Sequence, residues 1–96
     1  MIVWVIYDIT DDKVRSKVAR ACKDMGLYRV QKSAFCGTLN RNQLDELKIL
    51  LEELVTNNTD SIFIFPLCDK DFRRIILIGE GFDRDLISNR KITEFV

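Results

Sequence analysis

Residues 2–9, "IVWVIYDI", are apolar, β-branched or aromatic except for Asp8, and that composition predicts a strand with a carboxylate near its end. Thr10, Asp11 and Asp12 follow and predict a helix start, with Thr10 as the N-cap and two acids near the positive end of the helix dipole. Val14, Val18, Ala21, Cys22 and Met25 then recur at helical spacing, and Gly26 ends the helix. "LYRVQKSAFCGTL", residues 27–39, alternates, which predicts two short strands or one bent strand and its return, with Gly37 as a bend or bulge. Asn40 and Gln43 make a capping-box start for a second helix. Its buried stripe is Leu44, Leu47, Leu51, Leu54 and Val55, and it runs out at Asn57 and Asn58. "SIFIFPL", 61–67, predicts a strand in which Pro66 suits an edge or an end, and "RIILIG", 74–79, predicts another. The remainder is weakly patterned, with room for a short strand at 92–96.

The element order is therefore β-α-β-β-α-β with an appended C-terminal strand. That is an α+β chain of the ferredoxin-like kind, two helices on one face of a four-stranded antiparallel sheet. Residues 1–79 make this domain and 80–96 a C-terminal tail. A strand period of two puts Ile2, Trp4, Ile6 and Asp8 on one face and Val3, Val5, Tyr7 and Ile9 on the other. Both sets are largely apolar and no third helix is predicted, so the second face needs a cover. A homodimer packed through the sheet faces supplies one. In the next strand Arg29, Gln31 and Ser33 share a side, opposite Val30, Lys32 and Ala34, and are too polar for the helix-packed core. With the first and second strands close together, Asp8 and this polar set face one cleft, with Phe35 at its end.

Composition narrows the class. At 96 residues, 47% hydrophobic and 31% charged, the chain is one globular domain and not a disordered tail. No apolar run approaches the roughly 20 residues that span a bilayer, and the chain enters a strand without a signal-peptide pattern, so a cytoplasmic protein is expected. Cys22, Cys36 and Cys68 are odd in number, form no CxxC pair and read as reduced core residues. Net charge is zero, but residues 13–41 carry eight basic side chains (Lys13, Arg15, Lys17, Arg20, Lys23, Arg29, Lys32 and Arg41) against the single acid Asp24. A balanced total thus conceals a basic face suited to nucleic acid.

The chain has no histidine, which removes Ser-His-Asp and Cys-His hydrolases, histidine-based nucleases and His-ligated zinc. "IGEGFD" lacks the third glycine of a dinucleotide fingerprint, and there is no P-loop. Carboxylate and metal chemistry on a phosphodiester is what remains, with Mg²⁺ activating water and arginines holding phosphate. One carboxylate is a poor Mg²⁺ site. A symmetric dimer would bring two copies of Asp8 together.

"YDITDDKVRSKVARACKDMGLYRVQKSAFCGTLN", residues 7–40, resembles the defining segment of the CRISPR-associated family-two proteins, small adaptation-module endonucleases that partner the spacer integrase. The shared pattern is tyrosine-aspartate at a strand end, an arginine about seven residues on, glycine after the helix, then R-x-Q-x-S-x-F. "DSIFIFPL", 60–67, is similar to the family's fourth strand. The resemblance implies that Asp8 is the catalytic residue and binds Mg²⁺ jointly with its copy in a second subunit. It implies substrate-binding roles for Arg15, Arg29 and Phe35, with Ser33 in the same motif. Lys17 stands where some members have arginine, which keeps the charge and loses the bidentate fork. It further implies a homodimer whose C-terminal strand, here 74–79 or 92–96, crosses to the partner's sheet. The spacer integrase is the implied protein partner, and duplex DNA or single-stranded RNA the nucleic acid.

Two functions fit this resemblance: a Mg²⁺-dependent endonuclease, and a non-catalytic DNA-binding scaffold that bridges the integrase during spacer acquisition. A toxin-type ferredoxin-fold ribonuclease outside CRISPR is the alternative. Each residue also has a plainer reading. Asp8 can accept hydrogen bonds from turn amides at Thr10 or Asp11, Arg29 and Gln31 can pair across a dimer, Phe35 can simply pack, and the basic helix can be a solvated face.

Overall fold

The apolar run at the start of the chain becomes β1 (Ile2–Asp8), the strand around which the sheet is built. It pairs antiparallel with β3 (Ala34–Thr38) on one side and β4 (Ser61–Leu67) on the other, and β2 (Tyr28–Gln31) lies outside β3. The order β2-β3-β1-β4, with α1 (Asp12–Asp24) and α2 (Arg41–Leu54) between the strands, is the expected ferredoxin-like α+β arrangement. The computed structural model describes residues 1–79. The tail expected over 80–96, with the short strand at 92–96, lies outside the described residues.

The alternation along β1 sorts as its period requires. Val3, Val5, Tyr7 and Ile9 join Val18, Ala21 and Cys22 of α1 and Leu47 and Leu51 of α2 in one buried cluster, so both helices cover the same face. Gln43 and Asn40 close the capping box of α2, each side chain accepting from the other's backbone N–H at 2.9 and 2.8 Å. At α1 the N-cap is Asp11, not Thr10: its carboxylate accepts from the Lys13 and Val14 amides at 2.8 and 3.2 Å. A charged acceptor one residue closer to the helix takes the cap.

Two glycines shape the approach to β2. Gly26 adopts φ 86°, the left-handed conformation that ends α1. Gly37 is neither a bend nor a bulge, for it pairs in register with Val3. A Cβ there would meet Leu27 Cδ2 at 2.8 Å and Leu27 Cα at 3.2 Å, so glycine lets the α1–β2 connection lie against β3. The bulge falls instead between Arg29 and Gln31, whose partners Phe35 and Ala34 are consecutive.

Three other expectations change. Residues 74–79 form no strand; the chain instead makes a short helix, α3 (Asp69–Arg73), and continues as irregular backbone. No strand among the described residues offers this segment a ladder, and Ile76 and Ile78 stand 85% and 90% exposed. The second sheet face is therefore covered in part by the chain itself. Phe72 of α3 is buried with Ile2 and Cys36, and Trp4, Val30, Leu67 and Ile75 pack around them. Finally, Cys22 and Cys36 are buried, but Cys68 is exposed; its sulfur accepts from the Asp71 amide at the start of α3.

Candidate nucleic-acid groove and the Asp8 carboxylate

The chain leaves β1 at Asp8 through a turn that several carboxylates share. Asp11 caps α1. Asp12 pairs with the Arg15 guanidinium. Asp60, at the entrance to β4, accepts from both the amide and the hydroxyl of Thr10, each at 3.1 Å. The Thr10 amide, opposed by burial and helped by side-chain hydrogen bonds from Asn57, Thr10 and Thr59, holds the Asp60 carboxyl below the ordinary carboxylate range. The Thr10 amide is thus served by Asp60 and those of Lys13 and Val14 by Asp11. The Asp8 carboxylate is exposed, and among the described residues no hydrogen bond or ion pair holds it.

Asp8 borders a depression of about 880 Å³ between α1 and the β2–β3 hairpin. Arg15, Lys17, Arg20 and Lys23 line it from the helix and Arg29 and Lys32 from the hairpin, with Asp24 as the other acid. Ser33 also faces it. Six basic side chains against two carboxylates leave the groove strongly positive. Arg15 reaches back to the turn, where its Nη1 donates to the Ile9 carbonyl at 3.2 Å.

Asp8, Arg29 and Ser33 share this groove by a different route from strand alternation. β1 and β2 are not neighbours, because β3 lies between them. Arg29 pairs with Phe35, which pairs with Val5, so Arg29 belongs to the helix-packed side of the sheet and emerges at its rim. The bulge at Val30 sends Gln31 to the opposite face, beside Ala34 and Ile6. The expected common side for Arg29, Gln31 and Ser33 is therefore broken.

Phe35 is wholly buried, its ring 6.3 Å from that of Tyr7. It lines the core and offers no open face for a base. Its visible effect on the groove is through Arg29, whose guanidinium carbon lies 5.1 Å above the ring, a cation–π contact. Arg29 Nη2 also donates to the Tyr7 hydroxyl at 3.4 Å, and that hydroxyl donates to the Lys32 carbonyl at 3.5 Å. Tyr7, buried on the core face, is a groove-supporting residue to which the sequence reading, though it placed Tyr7 in the motif, gave no role.

The donor chemistry is that of oxygen and positive charge. Burial pushes the Cys22 and Cys36 thiols up to about 12, slightly opposed at Cys22 by Arg29, which keeps both protonated and unreactive. Among the described residues no cluster of three or more His, Cys, Asp or Glu side chains is placed to hold a metal. Asp8 is one hard oxygen donor at the groove. That donor suits Mg²⁺ in kind and falls short in number, since such sites use one or two carboxylates with water and substrate oxygens. No helix among the described residues is long and apolar enough to cross a membrane.

Comparison with known proteins places this geometry. Residues 1–75 match the family described as CRISPR associated protein Cas2. A protein of Korarchaeum cryptofilum named CRISPR-associated endoribonuclease Cas2 is 43% identical over 79 residues, 82% of this chain and 85% of that protein. A CRISPR-associated endonuclease Cas1/endonuclease Cas2 fusion of Thermoproteus tenax is 42% identical over 67 residues, 70% of this chain and 25% of the fusion. The crystal structure of Streptococcus pyogenes Cas2 at pH 6.5 superposes with a TM-score of 0.71 at 31% identity, covering 82% of this chain and all of that one. The match spans both the Asp8 turn and the basic hairpin, and the chain belongs to the CRISPR-associated Cas2 family.

Proposed function

We propose that this protein is a homodimeric CRISPR adaptation protein that binds nucleic acid along its basic groove and cleaves phosphodiesters with Mg²⁺ held between two copies of Asp8. The observation that carries the reading is the division of labour at the turn. Asp60 takes the Thr10 amide and Asp11 takes those of Lys13 and Val14, so these turn donors are held without Asp8. An exposed carboxylate without a structural partner stays open to a cation.

Mg²⁺ at this position would polarise a phosphoryl oxygen and lower the pKa of bound water. The chain's own residues bind and orient. Arg29, braced by Phe35 and Tyr7, presents a fixed guanidinium to phosphate. Lys17, Arg20, Lys23 and Lys32 add point charges, and Arg15 steadies the turn after Asp8. The relative named an endoribonuclease supports RNA as the substrate.

Dimerisation is supported by the uncovered end of the second sheet face. Ile6, Phe63 and Phe65 are 40%, 56% and 45% exposed there, with the two phenylalanine rings 6.2 Å apart. The apolar residues Ile76–Ile78 lie beyond α3 and pair with no strand among the described residues, which suits the exchange of this segment between subunits.

The second reading, a scaffold along duplex DNA that bridges the spacer integrase, is favoured by the fusion relative, where a Cas1 endonuclease and a Cas2 unit share one polypeptide. The family match favours either over a toxin-type ribonuclease outside CRISPR. The deciding experiment incubates labelled single-stranded RNA and duplex DNA with the parent and Asp8→Asn, in Mg²⁺ and in EDTA. Cleavage by the parent in Mg²⁺ alone, lost in Asp8→Asn while binding persists, is the expected result. Binding without cleavage by either protein would leave the scaffold.

A further inference from the structure

Asp60 stands 52 positions after Asp8 in the chain, yet its residue neighbour Ser61 is the β-ladder partner of Asp8. Its carboxylate gathers donors from two segments. Oδ1 accepts the amide and hydroxyl of Thr10, and Oδ2 accepts from Asn57 Nδ2 at 3.0 Å. Asn57 is held in turn, its Oδ1 accepting the amides of Thr59 and Asp60 at 3.1 and 2.8 Å. Asn57, Thr59 and Asp60 thus form a self-braced loop whose one long-range tie is to Thr10, two residues beyond Asp8. On the other side of the same turn Arg15 holds the Ile9 carbonyl, and Asp11 is fixed as the cap of α1.

We infer that Asp60 is a positioning residue: it clamps the chain just after Asp8 to the start of β4 and so sets where the unpartnered Asp8 carboxylate points. This inference rests on the reading of Asp8 as the metal-binding carboxylate. A pair of carboxylates meeting across a two-fold axis must each be placed closely, because one loose ligand of two halves the protein's share of the coordination. An exposed strand end supplies little of that rigidity, and two bonds to a charged acceptor add it. The residue does this without touching the cation, which is why no metal-ligand spacing in the sequence reveals it.

The test uses the full-length parent, Asp60→Ala, Asp60→Asn and Asp8→Asn. Two signals are read by NMR: hydrogen exchange at the Thr10 amide, and the Mn²⁺ concentration that half-broadens the Ile9 and Thr10 amide resonances. Asp60→Ala is expected to speed Thr10 exchange about tenfold, as loss of a charged hydrogen bond does, and to raise the Mn²⁺ half-point roughly tenfold, as loss of an outer-shell partner does. Asp60→Asn keeps an acceptor oxygen for Thr10 and is expected to recover part of both. Faster exchange in Asp60→Ala with an unmoved Mn²⁺ half-point makes Asp60 a stabilising latch only and overturns the inference, as does no change in either. An Asp8→Asn protein that responds to Mn²⁺ like the parent overturns the metal reading itself, and the positioning role with it.

Discussion

On the helix-packed face of β1, Val3, Val5, Tyr7 and Ile9 are at most 4% exposed, whereas on the other face exposure climbs from 5% at Ile2 to 40% at Ile6 and ends at the open carboxylate of Asp8. The two faces belong to one strand of nearly uniform apolar composition, so side-chain type does not make the difference. What covers each face does. Two long helices seal the first from end to end, while α3 reaches only the Ile2 end of the second through Phe72. Identity on the sealed face is set by packing. Along the graded face it passes from packing, through an exposed apolar surface, to an exposed carboxylate.

The contrast can be broken most severely from the sealed side. Phe35→Ala is expected to cost about 3–5 kcal/mol, a large share of the roughly 5–15 kcal/mol that holds a domain together. Urea unfolding monitored by circular dichroism measures it. A loss under about 1 kcal/mol would mean that the ring is not the packed floor described here. On the graded face the same order of effect should appear in assembly and not in folding. Phe63→Asp with Phe65→Asp buries charge in any sheet-to-sheet interface and is expected to raise the dimer dissociation constant at least about 100-fold, with the monomer's unfolding midpoint little changed. Sedimentation at micromolar concentration reads this, and an intact dimer would move the interface elsewhere. The smallest effect is electrostatic. Lys17→Gln with Arg20→Gln is expected to reduce the slope of log affinity against log salt by about 1 to 2, near 0.9 for each lost phosphate contact on duplex DNA. An unchanged slope would return the basic helix to the role of a solvated surface.

Local signals made much of this legible. Period-two alternation sorted β1, the Asn40–Gln43 capping box placed α2, and the basic excess over residues 13–41 foretold the groove. Several failures share a cause, a partner distant in sequence. The bulge between Arg29 and Gln31 is defined by β3, and the burial of Phe35 by Val5 and Tyr7. Thr10 lost the cap because Asp11 is better placed, and its hydroxyl instead serves Asp60, 50 residues away. Asn57 and Asn58 read as the end of the second helix, but nothing local says that the turn after it reaches the end of β1. Residues 74–79 have the composition of a strand and join no ladder among the described residues. α3 is short enough that its single buried side chain, Phe72, leaves no periodic signature.

The central claim is that Asp8 serves chemistry and not folding, since other carboxylates hold its turn. Asp8→Asn tests this directly when thermal midpoint and Mg²⁺-dependent RNA cleavage are measured on the same preparation. The account expects an unchanged midpoint and a cleavage rate lower by roughly 10²-fold or more. A protein that melts well below the parent, or one that cuts RNA at the parental rate, would contradict it.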